Sequence, residues 1–149
     1  MAHEYKHVRR VEFADTDMAG IAHFSAYFRY VEEAEHAFYR SLGLSVHTPG
    51  DGFSIGFPRL SATCEFSKAL RFEEEVEVHL SVKRKGTKSI TYRFTMSRVG
   101  SKVGIGPRED VAKGEMAVIC CRCYPDGRIE AISLPPMFDK AIEEAPCGP

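Results

Sequence analysis

The sequence predicts an α+β fold, one long helix laid against a curved antiparallel sheet of about five strands. Three observations predict it. A helical apolar period runs from about Phe24 to Leu42, two alternating runs meet across a glycine turn, and no second helical period appears that would cover the opposite sheet face. A chain of 149 residues with 44% hydrophobic content fits a single domain over residues 1–149, since domains commonly run to about 100–150 residues.

In chain order, Val8, Val11 and Phe13 punctuate a polar run and predict a strand reaching about Ala14. A turn-rich hexad follows, Asp15-Thr16-Asp17-Met18-Ala19-Gly20. Tyr27, Val31, Ala34, Phe38 and Leu42 then recur every three to four residues, a helix of about five turns that Gly43 ends. Between Ser45 and Pro58 the breakers Pro49, Gly50, Gly52, Gly56 and Pro58 predict a loop. Leu60 to Phe72 reads as a strand.

Val76, Val78, Leu80 and Val82 alternate with polar residues, as do Ile90, Tyr92, Phe94 and Met96. With Lys85-Gly86-Thr87 between them, the two runs form an antiparallel hairpin. Gly100 to Gly106 reads as a flexible connection, and Met116 to Tyr124, nearly all apolar, as a central strand. Pro125-Asp126-Gly127 turns the chain into a short strand and a tail. The uncovered sheet face and edges invite self-association.

A net charge of −1 from 20 basic and 21 acidic side chains supplies no field for nucleic acid or an anionic membrane. No run approaches the roughly 18–20 apolar residues of a membrane span, and the polar start Met1 to Lys6 lacks a signal-peptide stretch. A cytoplasmic protein that meets small molecules and copies of itself is expected. Of the five cysteines, Cys120, Cys121 and Cys123 crowd one strand-like segment, where they read as reduced thiols packed in the core rather than as metal ligands.

The chemistry centres on Asp17, between a strand end and a helix start. A helix N-terminus presents unpaired N–H groups and partial positive charge. A carbonyl placed there would be polarised, with Phe24 N–H the leading donor, while a carboxylate a few residues earlier attacks the carbon or activates water. Gly20 permits a sharp turn and close ligand approach, and His23 at the helix threshold is placed to hydrogen-bond substrate or water. On spacing alone Asp15, Thr16 and Asp17 serve equally well as turn and capping residues.

The segment Val11 to Phe24, followed by Tyr27 and an acidic, aromatic helix, resembles the active-site signature of hotdog-fold acyl-CoA thioesterases of the 4-hydroxybenzoyl-CoA thioesterase and YbgC type. The resemblance implies the hotdog fold, a homodimer or homotetramer with sites at subunit interfaces, and an acyl-CoA substrate with no cofactor and no metal. It assigns the catalytic aspartate to Asp17 and carbonyl polarisation to Phe24 N–H. His23 departs from the aromatic residue often found there.

Other candidates have second readings. A related branch of hotdog thioesterases uses a helix glutamate, for which Glu32, Glu33 and Glu35 are available, but the paired glycine usual before that helix is missing. Lys83, Arg84, Lys85 and Lys88 form a basic turn suited to the phosphates of coenzyme A, or to a soluble hairpin tip. Arg59 is a further phosphate candidate. Tyr27 lines the acyl pocket or simply packs in the core. An acyl carrier protein thioesterase and a non-catalytic acyl-CoA binding module are the alternative functions.

Overall fold

The computed structural model describes residues 1–100 and 108–147. Strand β1 (Glu4–Arg10) alternates exposed and half-buried positions. The chain does not stay extended to Ala14. Instead Phe13–Asp15 forms one 3-10 turn, because Asp15 N–H donates to the Glu12 carbonyl (3.0 Å) while Glu12 N–H donates to the Asp15 carboxylate (2.9 Å). A side chain that answers its own backbone competes with strand pairing.

Helix α1 (Phe24–Ser41) follows, within one residue of the expected end. Ala26, Tyr30, Val31, Ala34 and Tyr39 are fully buried along one face. Gly43 takes φ +74°, and the N–H groups of Gly43 and Leu44 close on the Arg40 and Tyr39 carbonyls (3.0 and 2.9 Å), which stops the helix. The expected loop beyond it contains two short strands, β2 (Thr48–Pro49) and β3 (Ser54–Gly56).

Strands β4 (Arg59–Phe66), β5 (Glu75–Lys85), β6 (Ser89–Gly100) and β7 (Glu109–Ile119) complete a five-stranded sheet with β1, in the order β1-β5-β6-β7-β4 and antiparallel throughout. The inward set is the predicted one: Val76, Val78, Val82, Ile90, Tyr92 and Met96 are fully buried. The strand expected over Leu60 to Phe72 ends early, at Phe66. The connection expected from Gly100 to Gly106 lies, past Gly100, outside the described residues.

The apolar run 116–124 is not one strand. It breaks at Cys120, whose N–H donates to the Lys88 carbonyl (2.8 Å), and continues as β8 (Cys121–Cys123) in a second sheet, β2-β3-β8-β9, with β9 (Ile129–Ala131) at its edge. All five cysteines are free thiols; Cys120 and Cys121 are buried, and burial pushes the Cys120 thiol up to about 11. A short helix, α2 (Pro136–Ala141), stands where only a tail was expected. Its Phe138 ring packs on Tyr39 and Phe57 at 5.6 and 5.1 Å between centroids, so α2 extends the helix-side core.

The outward sheet face is polar and internally paired. Glu4 meets His79 (2.8 Å), Lys83 meets Glu115 (2.7 Å) and Lys113 meets Glu65 (3.8 Å). Val8 of β1 is an exposed apolar side chain on that face; others, Phe13, Met18, Phe24, Leu60, Phe66 and Phe72, are exposed elsewhere. Among the described residues no helix is long and apolar enough to cross a membrane.

Gly114 in β7 makes room for the core. It faces Phe94 across the β6–β7 ladder, and a Cβ there would overlap the Thr63 carbonyl and lie 2.6 Å from the Phe94 ring. Gly114→Ala should therefore cost about 2–3 kcal/mol, read as a lowered urea midpoint. Gly56→Ala, whose Cβ meets only the Cys123 sulfur at 3.3 Å, should lose much less.

Candidate active site

The hexad folds into a tight reversal. Asp17 N–H donates to the Ile21 carbonyl (2.9 Å), Gly20 N–H to the Asp17 carbonyl (3.0 Å), and Gly20 sits at φ +79°, a conformation glycine adopts without steric cost. Bridges from Thr16 to Ala22 and from Ile21 to Arg71 tie the reversal to the segment between β4 and β5. That geometry gives the two aspartates different surroundings.

Asp15 is 7% exposed and accepts from Arg9 Nη1 (3.0 Å), Arg29 Nη2 (2.8 Å) and Glu12 N–H (2.9 Å). Burial alone would raise its carboxyl. The Glu12 N–H, the Tyr30 hydroxyl and the two guanidiniums together outweigh burial and hold it below the ordinary aspartate value. Asp17 is exposed, and among the described residues its carboxylate accepts only from Ala19 N–H, at Oδ1 (2.8 Å). Its Oδ2 has no donor among the described residues.

The start of α1 is assembled from three directions. Ala22 N–H donates to the Leu70 carbonyl and His23 N–H to the Asp15 carbonyl, both at 2.7 Å. Ser25 N–H donates to the His23 ring at Nδ1 (3.2 Å), and Ala26 N–H to the His23 carbonyl (2.8 Å). Phe24 N–H alone in that turn has no acceptor among the described residues, as the first helical amide is not reached by the intrahelical ladder.

Asp17 borders two clefts. One is walled by Phe13, Thr16, Met18 and Phe72; the other, about 380 Å³, by Ile21, Phe24, Tyr27, Phe66 and Lys68. Tyr27 is 3% exposed and meets Phe66 edge-on, with ring centroids 4.8 Å apart. Of the residues singled out in the sequence, Asp17, Gly20, Phe24 and Tyr27 are thus brought together. Lys68 was not singled out; nothing in its spacing marks it, and only the placement of the β4–β5 segment against Ile21 does.

The other candidates go elsewhere. His23 borders neither cleft and caps α1 with its ring. Arg59 is engaged with Glu35 (2.7 and 3.2 Å). Lys85 Nζ is tied to the Asp139 and Ile142 carbonyls (2.8 and 2.9 Å), which pins β5 to the end of α2. Arg84 is exposed near the far end of β5, on the order of 30 Å from the Glu75 end that adjoins the hexad. Within one subunit, therefore, the basic turn does not border the Asp17 clefts.

The helix glutamates are also remote from the helix start, by about 12–16 Å at 1.5 Å per residue. Each has a cationic neighbour: Glu33 pairs with Arg9 (3.4 Å), while Glu32 (3.5 Å) and Glu35 converge on Arg59.

A sequence model of the family described as the thioesterase superfamily matches residues 19–105, which span all of α1 and the β5–β6 hairpin. The chain belongs to the thioesterase superfamily. A putative esterase of Aquifex aeolicus (strain VF5) is 38% identical over 86 residues, 58% of this chain; the chain spans 66% of that relative's length. The 4-hydroxybenzoyl-CoA thioesterase of Pseudomonas sp. (strain CBS-3) is 28% identical over 140 residues, 91% of this chain and 94% of that one. Its solved structure superposes with a TM-score of 0.79 at 22% identity, covering 94% and 99% of the two chains. The long helix and five antiparallel strands are thus the hotdog fold, in a family of thioester hydrolases. The family match begins two residues after Asp17.

Proposed function

We propose that this protein hydrolyses an acyl-CoA to free acid and CoA, with Asp17 as nucleophile or general base. One observation carries the reading: a carboxylate with a free oxygen and an unpaired helix amide, Phe24 N–H, border the same cleft. The amide stabilises the negative charge that develops on the thioester oxygen. Either Asp17 takes a proton from water, whose oxygen adds to the carbon, or its own oxygen adds and water then cleaves the anhydride. In both routes the C–S bond breaks, CoA leaves as a thiolate and takes up a proton.

The exposed apolar residues beside Asp17 support a site completed by a second copy of the chain. Phe13, Phe24, Phe66 and Phe72 are 77, 65, 48 and 46% exposed in one subunit, more apolar area than a closed site leaves in water. In a homodimer or homotetramer the Arg84 turn of one subunit is available to hold coenzyme A phosphates in the site of another. The activity printed in the Pseudomonas relative's name is of this class. A cytoplasmic location fits, since all five cysteines are free thiols.

Thiol release measured on aromatic, short and long acyl-CoAs, and on the same acyl groups attached to acyl carrier protein, tests the reading. Turnover of at least one acyl-CoA, at higher kcat/KM than the matched carrier thioester, is expected. Faster carrier turnover would move the substrate to the protein carrier. Tight acyl-CoA binding without thiol release would make the protein a binding module. Sedimentation should show a dimer or tetramer.

A further inference from the structure

The imidazole at the helix start is already engaged. Ser25 N–H donates to His23 Nδ1 (3.2 Å) and the Ser25 hydroxyl lies 2.8 Å from the same nitrogen. A nitrogen that accepts an N–H carries its lone pair and no proton. The Ser25 hydroxyl therefore donates to it as well, and the proton of the neutral ring sits on Nε2. The ring is also held against Phe24, with centroids 4.5 Å apart, and the His23 backbone N–H is fixed on the Asp15 carbonyl.

These contacts sort the first three amides of α1. Ser25 N–H goes to the ring, Ala26 N–H to the His23 carbonyl, and Phe24 N–H is left over. The Asp15 carbonyl that anchors His23 belongs to the acid that Arg9 and Arg29 immobilise, two residues before Asp17. One rigid unit thus sets both the direction of the free amide and the root of the Asp17 reversal.

We propose that His23 is a positioning residue for thioester hydrolysis, whose imidazole caps α1 and so fixes the direction of Phe24 N–H at the Asp17 cleft. The inference rests on the acyl-CoA reading above. The ring acts through the helix amide and not on the substrate. Its task is to accept one N–H at the cap, and a side chain of another shape that accepts there can replace it; asparagine is among the preferred caps. Phenylalanine keeps the contact with Phe24 but accepts nothing.

H23F and H23N distinguish these roles. H23F should lower kcat about tenfold with KM within about twofold of the parent, because a donor that works mainly in the transition state is misdirected. H23N should recover kcat to within about threefold. Amide hydrogen exchange at residues 24–27 should speed up in H23F and return to the parental rate in H23N. H23A, smaller than the native ring, replaces H23F if the latter does not fold. Parental kcat in the uncapped variant overturns the proposal, and so does an H23N as slow as H23F, which would mean that the imidazole itself acts. If the parent protein hydrolyses no acyl-CoA, the functional reading fails, while the exchange rates still decide whether the ring caps the helix.

Discussion

Asp17→Asn is expected to lower kcat on a good acyl-CoA substrate about 10³-fold and to leave the melting temperature within about 1 °C. Positioned proton transfer is commonly worth 10²–10⁴-fold, and an amide serves neither as base nor as nucleophile. Asparagine keeps an acceptor for Ala19 N–H, the hydrogen bond that shapes the reversal at 2.8 Å, and the site is exposed, so no buried charge is created or lost. Thiol release under saturating substrate, beside a thermal melt, checks both halves. Turnover at the parental rate would remove Asp17 from the mechanism. Asp15→Asn should show the opposite pattern: Arg9 and Arg29 lose their shared carboxylate, the melting temperature falls by several degrees, and kcat per folded molecule changes less than tenfold.

That contrast was beyond the sequence alone. In Asp-Thr-Asp both acids stand before a helix, and spacing cannot separate a buried anchor from a free carboxylate. The difference is made by Arg9 on β1 and Arg29 on α1, which reach Asp15 across 6 and 14 residues. The resemblance of the hexad to the thioesterase signature selected Asp17; the surroundings of the two acids supply a physical reason for the same choice.

Elements whose burial repeats locally were legible. The α1 period and the β5 and β6 alternation each encode one buried face; α1 and β5 were placed within a residue or two, while β6 runs past the expected Met96 to Gly100. Elements that depend on distant partners were not. Strand β3 exists because 54–56 pair with 121–123, and an apolar run that stays buried on both sides of Cys120 gives no sign that it changes sheets there. Helix α2 is six residues long with Phe138 as its one buried side chain, too short to show a period. The Lys85 ties to α2 and the Arg59 tie to Glu35 were hidden for the same reason, since their partners lie 54 to 57 and 24 residues away.

Arg59→Leu should destabilise the fold by about 3–5 kcal/mol at pH 8, because it leaves a fully buried Glu35 without its counter-charge. The loss should shrink at pH 5. Burial pushes the Glu35 carboxyl up to about 7, against the pull of Arg59. A folded-state value above the ordinary 4.5 means that Glu35 favours the fold fully below about pH 4.5, and that this contribution disappears as pH rises through 7. Without the guanidinium the carboxyl is raised further, so at pH 5 the variant buries a neutral acid instead of a bare charge. His36, held below 6.5 chiefly by burial, contributes a slope of the opposite sign, so the Glu35 share is read as the difference between the parent and Glu35→Gln. Combining Arg59→Leu with Glu35→Gln should recover much of the pH 8 loss, since no charge is then left unpaired. Thermal melts at pH 5 and pH 8 on the four proteins separate the causes: an Arg59→Leu penalty equal at both pH values would mean that Arg59 stabilises α1 through packing of its stem and not through its charge.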